Sequence, residues 1–247
     1  LDEVADLAAA VARCRRLLDL DADPVVVDAA LAPLGPSGGR VPGGVDGWEI
    51  LARAIVGQQV TLGSARRTLG RLVERLDVDT FPSAELVAGL DPADLGLPRT
   101  RATTLVDAAA AVAGGSIDLD PGADRDQVRE RLSAIRGIGP WTVDYVAMRA
   151  LGDPDVGLAG DVVVRNALAR RGLDRTDVER WRPWRSYAVV RLWADEDRFR
   201  NRVTTEGLEQ KDADDDPGRR GTTDRGGRPG PSGSRARSPR PKRPGFR

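Results

Sequence analysis

The 247-residue chain carries 38 basic and 38 acidic residues, with 40% apolar and 4% aromatic content, one cysteine and no histidine. This is length enough for one large domain or two small ones. A lone Cys14 excludes a disulfide framework and a cysteine-ligated metal or iron–sulfur cluster, and the lack of histidine excludes Ser-His and Cys-His nucleophile pairs and histidine-ligated metals.

Lysine occurs only at Lys211 and Lys242. The first 210 residues therefore hold neither a Schiff-base lysine nor a Walker-type phosphate loop, and acid–base work there falls to Asp or Glu. The neutral total hides an asymmetry. From Arg219 onward there are ten Lys/Arg against Asp224 alone, leaving 28 basic and 37 acidic residues, a net charge of −9, in residues 1–218. An acidic body runs against the usual electrostatic footprint of a nucleic-acid protein. No run approaches the roughly 18 apolar residues of a membrane span, and no signal peptide is read at the start. A reducing, cytoplasmic setting is expected, and Leu1 in place of Met reads as a fragment or a processed product.

In chain order, Val4, Leu7, Val11, Cys14 and Leu18 have helical spacing. Asp23-Pro24 reads as an N-cap with proline at the first helical position, opening a helix through Leu31. The Gly/Pro-rich stretch from Leu34 to Gly44 reads as a loop. A helix follows with Trp48, Leu51, Ala52, Ile55 and Val56 on one face. After Gly57-Gln58-Gln59-Val60-Thr61, the Leu62–Leu76 stretch resumes helical spacing, with Arg66, Arg67, Arg71 and Arg75 interspersed.

Ser83 is expected to cap a short helix to Gly89, and Asp91-Pro92 to open another. Leu95-Gly96-Leu97-Pro98-Arg99-Thr100 turns into a helix stopped by Gly114-Gly115. Asp124 with Gln127 resembles a capping box for a helix whose Val128, Leu132 and Ile135 share a face and which ends at Gly137. A further helix runs from Asp161 to about Arg171. Thr176 with Glu179 reads as a second capping box, and Arg182-Pro183 as the start of a helix carrying Tyr187, Val190 and Trp193. With no convincing alternating strands, the expected fold class is all-α. Past about Thr204 the apolar periodicity stops, and residues 204–247 are expected to form a disordered tail, acidic and then basic, beyond a folded core of residues 1–203.

One run concentrates chemistry. Ile135-Arg136-Gly137-Ile138-Gly139-Pro140-Trp141-Thr142 reads as a helix end, a tight turn and a new helix start. Two glycines around one apolar residue permit positive φ and uncover main-chain N–H groups that suit a phosphate oxygen. A helix C-cap accounts for Gly137 but not for the second glycine. Beyond the turn, Trp141, Tyr145 and Met148 fall on one helix face. Asp161 follows Gly160 and precedes Val162-Val163-Val164; it reads as an N-cap or as a catalytic carboxylate. Each aromatic, taken singly, reads as core packing, and Trp181 and Trp184 are assigned to the core.

These residues resemble the helix-hairpin-helix glycosylase superfamily, most closely its 3-methyladenine DNA glycosylase II branch, over about residues 4–196. The matching pieces are Ala54-Ile55-Val56-Gly57-Gln58-Gln59-Val60-Thr61, Leu95-Gly96-Leu97-Pro98, the hairpin itself, and Trp181-Arg182-Pro183-Trp184-Arg185-Ser186-Tyr187-Ala188. The resemblance implies two helical subdomains flanking an active-site cleft, double-stranded damaged DNA as partner, base flipping, and release of alkylated purines by a monomeric, DNA-associated bacterial enzyme. The rival reading is a non-catalytic helix-hairpin-helix DNA-binding module. The resemblance also implies Asp161 as the catalytic residue and Trp141, Tyr145 and Trp193 as walls of the base pocket.

Gly137, Ile138, Gly139 and Thr142 then contact DNA at the hairpin, with a monovalent cation nearby; no other cofactor and no side-chain metal site is implied. Gln58 and Gln59 match positions that contact DNA near the lesion or cap neighbouring helices. Arg99 matches the wedge position, apolar in the best-known branch member, and reads equally as a turn residue. Members that also cut the strand carry a lysine where this chain has Trp141, so a monofunctional glycosylase is expected. The N-terminal mixed α/β domain of the branch is not read in this chain, which is expected to lack it or to be part of a longer or fused polypeptide.

Overall fold

A computed structural model describes residues 4–35 and 39–214. Ten α-helices and three short 3-10 turns account for the regular structure of the described residues, with no strand among them. Residues 1–202 form one compact unit, and no helix among the described residues is long and apolar enough to cross a membrane.

Helix α1 (Val4–Leu17) and helix α2 (Pro24–Ala30) open the chain. Asp23 caps α2 through Val25 N–H, with Pro24 inside the first turn. The apolar stripe of α1 does not face a core: Leu7, Val11 and Leu18 are about half exposed, and Cys14 is exposed. Periodicity marks a face, but it does not say what covers it.

Helix α3 (Gly47–Val56) is the hydrophobic centre, burying Trp48, Leu51, Ala52, Ile55 and Val56 as the spacing predicts. The indole N–H of Trp48 donates to the Pro82 carbonyl, so the ring is buried without an orphaned donor. Around α3 pack α4 (Leu62–Leu76), α6 (Arg99–Ala113) and α8 (Pro140–Arg149); α5 (Ala84–Ala88) packs on α6, and α7 (Arg125–Ala134) on α8. The caps expected at Ser83, Asp91 and Asp124 are present, each side-chain oxygen accepting from a main-chain N–H one turn into its helix.

A second group of helices is tied together by charged side chains. Arg191 of α10 (Arg185–Asp214), 3% exposed, donates to the Leu31 and Gly35 carbonyls and pairs with Asp28. Arg170 and Arg171 of α9 (Val162–Arg170) and its C-cap reach Glu196 and Asp195 of α10. Tyr187 donates to Asp19, and burial together with that carboxylate pushes the phenol far above its ordinary value.

Three expectations change. Thr176 makes no capping box: it sits in helical conformation with no cap bond, and its hydroxyl and N–H both turn back to Asp174, so only a 3-10 turn (Asp177–Trp181) forms. The last helix begins at Arg185 rather than at Arg182-Pro183, because Arg182 is extended at the end of that turn. And α10 continues to Asp214, past the Thr204 boundary at which apolar periodicity ends; the backbone needs local helix formers, not buried ones, to continue. The remainder of the expected tail, residues 215–247, lies outside the described residues.

Candidate active site

The hairpin joins α7 to α8. Ile135 caps α7 in extended conformation, Gly137 follows at φ +94°, and Gly139 is extended just before Pro140 starts α8. Gly137 is required twice over. Its φ lies in the left-handed region, and a Cβ there would stand 2.2 Å from the Thr104 hydroxyl oxygen. Gly139 needs no such tolerance, since open space surrounds its Cα; the small residue keeps the N-terminus of α8 uncovered. Ile138 N–H donates to the Ile135 carbonyl, whereas the N–H groups of Gly137, Gly139 and Trp141 have no intramolecular acceptor among the described residues.

Behind this turn lies a support the sequence did not reveal. The Thr104 hydroxyl of α6 lies 2.9 Å from both the Thr100 and the Arg136 carbonyls, so its one proton bridges the helix and the turn. The Gln58 side-chain amide donates to both the Gly137 carbonyl (3.0 Å) and the Thr142 hydroxyl (3.1 Å). Arg101 in turn donates to the Gln58 carbonyl at 2.7 Å. The pair Gln58-Gln59 thereby divides. Gln58 is turned inward as a clamp on the hairpin, while Gln59 is exposed at φ +56°.

Ile138 and Thr142, both expected to contact DNA, turn their side chains inward. Ile138 is 7% exposed and Thr142 2%, so their side chains anchor the turn to the core and do not line its outer surface. Arg99 stands exposed at the first turn of α6, the helix that also supplies Arg101 and Thr104. The loop matched to the wedge and the hairpin support thus hang on one helix.

On α8, Trp141 and Tyr145 stack with ring centroids 5.0 Å apart and planes 17° apart; Trp193 of α10 approaches Tyr145 at 6.4 Å and 43°. All three rings are half-buried. Trp181 is buried, and Trp184, partly buried against the core, meets Tyr187 edge-on at 5.6 Å.

Asp161 caps α9 with one carboxylate oxygen and receives a ring N–H on the other. Oδ1 accepts from Val163 N–H (2.7 Å) and Val164 N–H (3.0 Å), capping α9. Oδ2 accepts from the Trp141 indole N–H at 2.9 Å. Three donors fix the carboxylate plane, and the residue is 8% exposed. The link that delivers it is pinned as well: Arg185 binds Asp155, and the Ser186 hydroxyl bridges the Asp153 carbonyl and Val156 N–H. One carboxylate is therefore held at the end of an aromatic stack whose first member starts directly after a turn of uncovered N–H groups.

Residues 52–181 match the family model described as HhH-GPD superfamily base excision DNA repair protein. The chain belongs to that superfamily. Residues 1–46, read above as the opening of the glycosylase core, match the model described as the AlkA N-terminal domain.

Relatives place the chain in the 3-methyladenine glycosylase II branch. It is 42% identical over 217 residues to a Mycobacterium tuberculosis protein named probable bifunctional transcriptional activator/DNA repair enzyme AlkA, covering 78% of this chain and 44% of that one. It is 35% identical over 203 residues to Escherichia coli DNA-3-methyladenine glycosylase 2, covering 75% and 71% respectively. The chain thus spans under half the length of the mycobacterial relative. A solved 3-methyladenine DNA glycosylase from Archaeoglobus fulgidus shares the fold, with TM-score 0.68 and 23% identity over 81% of this chain and 78% of that one.

Proposed function

We propose that this chain is a monofunctional DNA glycosylase that flips an alkylated purine out of double-stranded DNA and hydrolyses its N-glycosidic bond, leaving an abasic site. The observation that carries the reading is the Trp141–Asp161 hydrogen bond, which sets a carboxylate beside the ring stack.

The hairpin N–H groups of Gly137, Gly139 and Trp141 receive a backbone phosphate, helped by the N-terminus of α8. Exposed arginines close in sequence to the clamp and hairpin (Arg66, Arg67, Arg136) supply the local positive charge that the acidic body lacks. Arg99 fills the gap left by the extruded nucleotide. The purine lodges against the rings of Trp141, Tyr145 and Trp193, whose faces favour a cationic base by about 0.5–2 kcal/mol each. The bond between the base nitrogen and the sugar then breaks with its electron pair leaving on the base, so an alkylated cation departs neutral. Positive charge develops on the sugar, opposed by Asp161 Oδ2. Water forms the new carbon–oxygen bond and loses its proton to the carboxylate or to solvent.

No strand cleavage is expected, since Trp141 stands where strand-cutting relatives have lysine. A monovalent cation at the hairpin would rest on main-chain carbonyls alone. Among the described residues no cluster of three or more His, Cys, Asp or Glu is present, and the Arg136 and Gly137 carbonyls already accept hydrogen bonds. The enzyme is proposed to act as a monomer.

The test is release of 3-methyladenine from methylated duplex DNA. Wild type should release base and Asp161→Asn should lose release about 100-fold or more while binding DNA normally; asparagine keeps the helix cap. A wild-type chain that binds DNA and releases nothing returns the protein to a helix-hairpin-helix binding module.

A further inference from the structure

The aromatic stack has a fourth member that the proposed chemistry leaves unused. Trp141, Tyr145 and Arg149 follow one another at intervals of four along α8, so they form a ladder on one helix face. Trp141 lies on the N-terminal side of Tyr145 and is stacked on it. Arg149 lies on the C-terminal side, its guanidinium carbon 5.8 Å from the Tyr145 ring centroid.

The charge at Arg149 is not consumed elsewhere. Its Nε is buried without a hydrogen-bond partner. Its side of the ladder opens on a cavity of about 260 Å³ whose lining includes Arg16, Asp19, Asp21, Arg125 and Asp153. Each acid there is engaged by another group: Asp153 by Arg129 and Arg125, Asp21 by Arg15, and Asp19 by Tyr187 and Val41 N–H. What the guanidinium faces is the ring.

We infer that Arg149 is a specificity-determining residue: by holding a fixed cation against Tyr145, it lowers the preference of the ring stack for positively charged over neutral purines. The inference rests on the proposed base pocket. An aromatic ring attracts a cation through its negative face, and Tyr145 already has one. A purine cation lodging against the ladder feels a fixed like charge at its far end, and Tyr145, covered by Trp141 and Arg149, has no face left to offset it; a neutral purine is spared that repulsion. Arg149 thereby broadens the range of bases the site accepts, towards uncharged lesions such as hypoxanthine.

The experiment compares single-turnover release from matched duplexes carrying 7-methylguanine, a cation, or hypoxanthine, which is neutral. In Arg149→Met the cation-to-neutral rate ratio should rise about threefold to tenfold, and Arg149→Lys, which keeps the charge, should stay near wild type. The same ratio is read without turnover from quenching of tryptophan fluorescence by 3,9-dimethyladeninium and 9-methyladenine, with thermal melting to confirm that each variant is folded. A ratio that stays constant or falls in Arg149→Met, by either readout, overturns the assignment. A wild type that releases neither base while its quenching ratio still shifts in Arg149→Met removes the enzymatic reading and leaves the role of Arg149 standing.

Discussion

The indole N–H of Trp141 meets Asp161 Oδ2 at 2.9 Å, so one side chain is both a member of the ring stack and a hydrogen-bond donor to a carboxylate. In the proposed reaction the base-facing surface and the charge that opposes the sugar cation are thereby coupled through a single ring. Trp141→Phe keeps the stacking surface and removes the hydrogen bond. A hydrogen bond to a charged group contributes about 1.5–3 kcal/mol, so kcat should fall about 10- to 100-fold with KM little changed. Pre-steady-state base release separates the two; an unaltered kcat would show that Asp161 needs no help from the indole.

Gly137→Ala should damage the hairpin from two directions, through its φ of +94° and through the 2.2 Å approach to Thr104. The expected loss of stability is about 1–3 kcal/mol, with weaker DNA binding measured by fluorescence anisotropy. Adding Thr104→Ala should recover only the steric part, because the backbone strain remains. Full recovery in the double variant would mean that the φ costs nothing.

Arg191 fastens α10 to the Leu31–Gly35 segment from a site 3% exposed. Arg191→Met leaves two carbonyls and Asp28 without their donor, at a cost of about 2–3 kcal/mol. Thermal denaturation should show Tm lower by about 5–10 °C. A change within 1–2 °C would mean that water replaces the guanidinium freely.

Burial pushes the Glu196 carboxyl up, but Arg170 and Arg200 outweigh it and hold the group below its ordinary value of 4.5. Because the folded-state value is depressed, the stabilisation is present above the ordinary value and is lost as pH falls through the lower folded-state value. Stability measured by urea denaturation should therefore decline below about pH 4.5 more steeply in wild type than in Glu196→Gln. Parallel curves would exclude Glu196 from the acid response.

The sequence by itself determined the helical class and most helix starts, because capping oxygens, prolines and apolar spacing act within one turn of chain. It also determined which chemistry was available: a chain without histidine, and without lysine before Lys211, leaves acid–base work to Asp and Glu, among which the family resemblance singled out Asp161. The two glycines of the hairpin were legible for the same local reason. Only the tertiary structure decided how Gln58 and Gln59 divide, since the partner carbonyl belongs to a residue 79 positions away. It alone showed that Ile138 and Thr142 face inward, that the stripe of α1 faces solvent, and that Thr104 requires Gly137. Arg149 lay between these cases: its spacing from Tyr145 was readable, but not that every nearby acid was already engaged. Local geometry follows from neighbours along the chain, whereas burial and partnership depend on which distant elements share a volume.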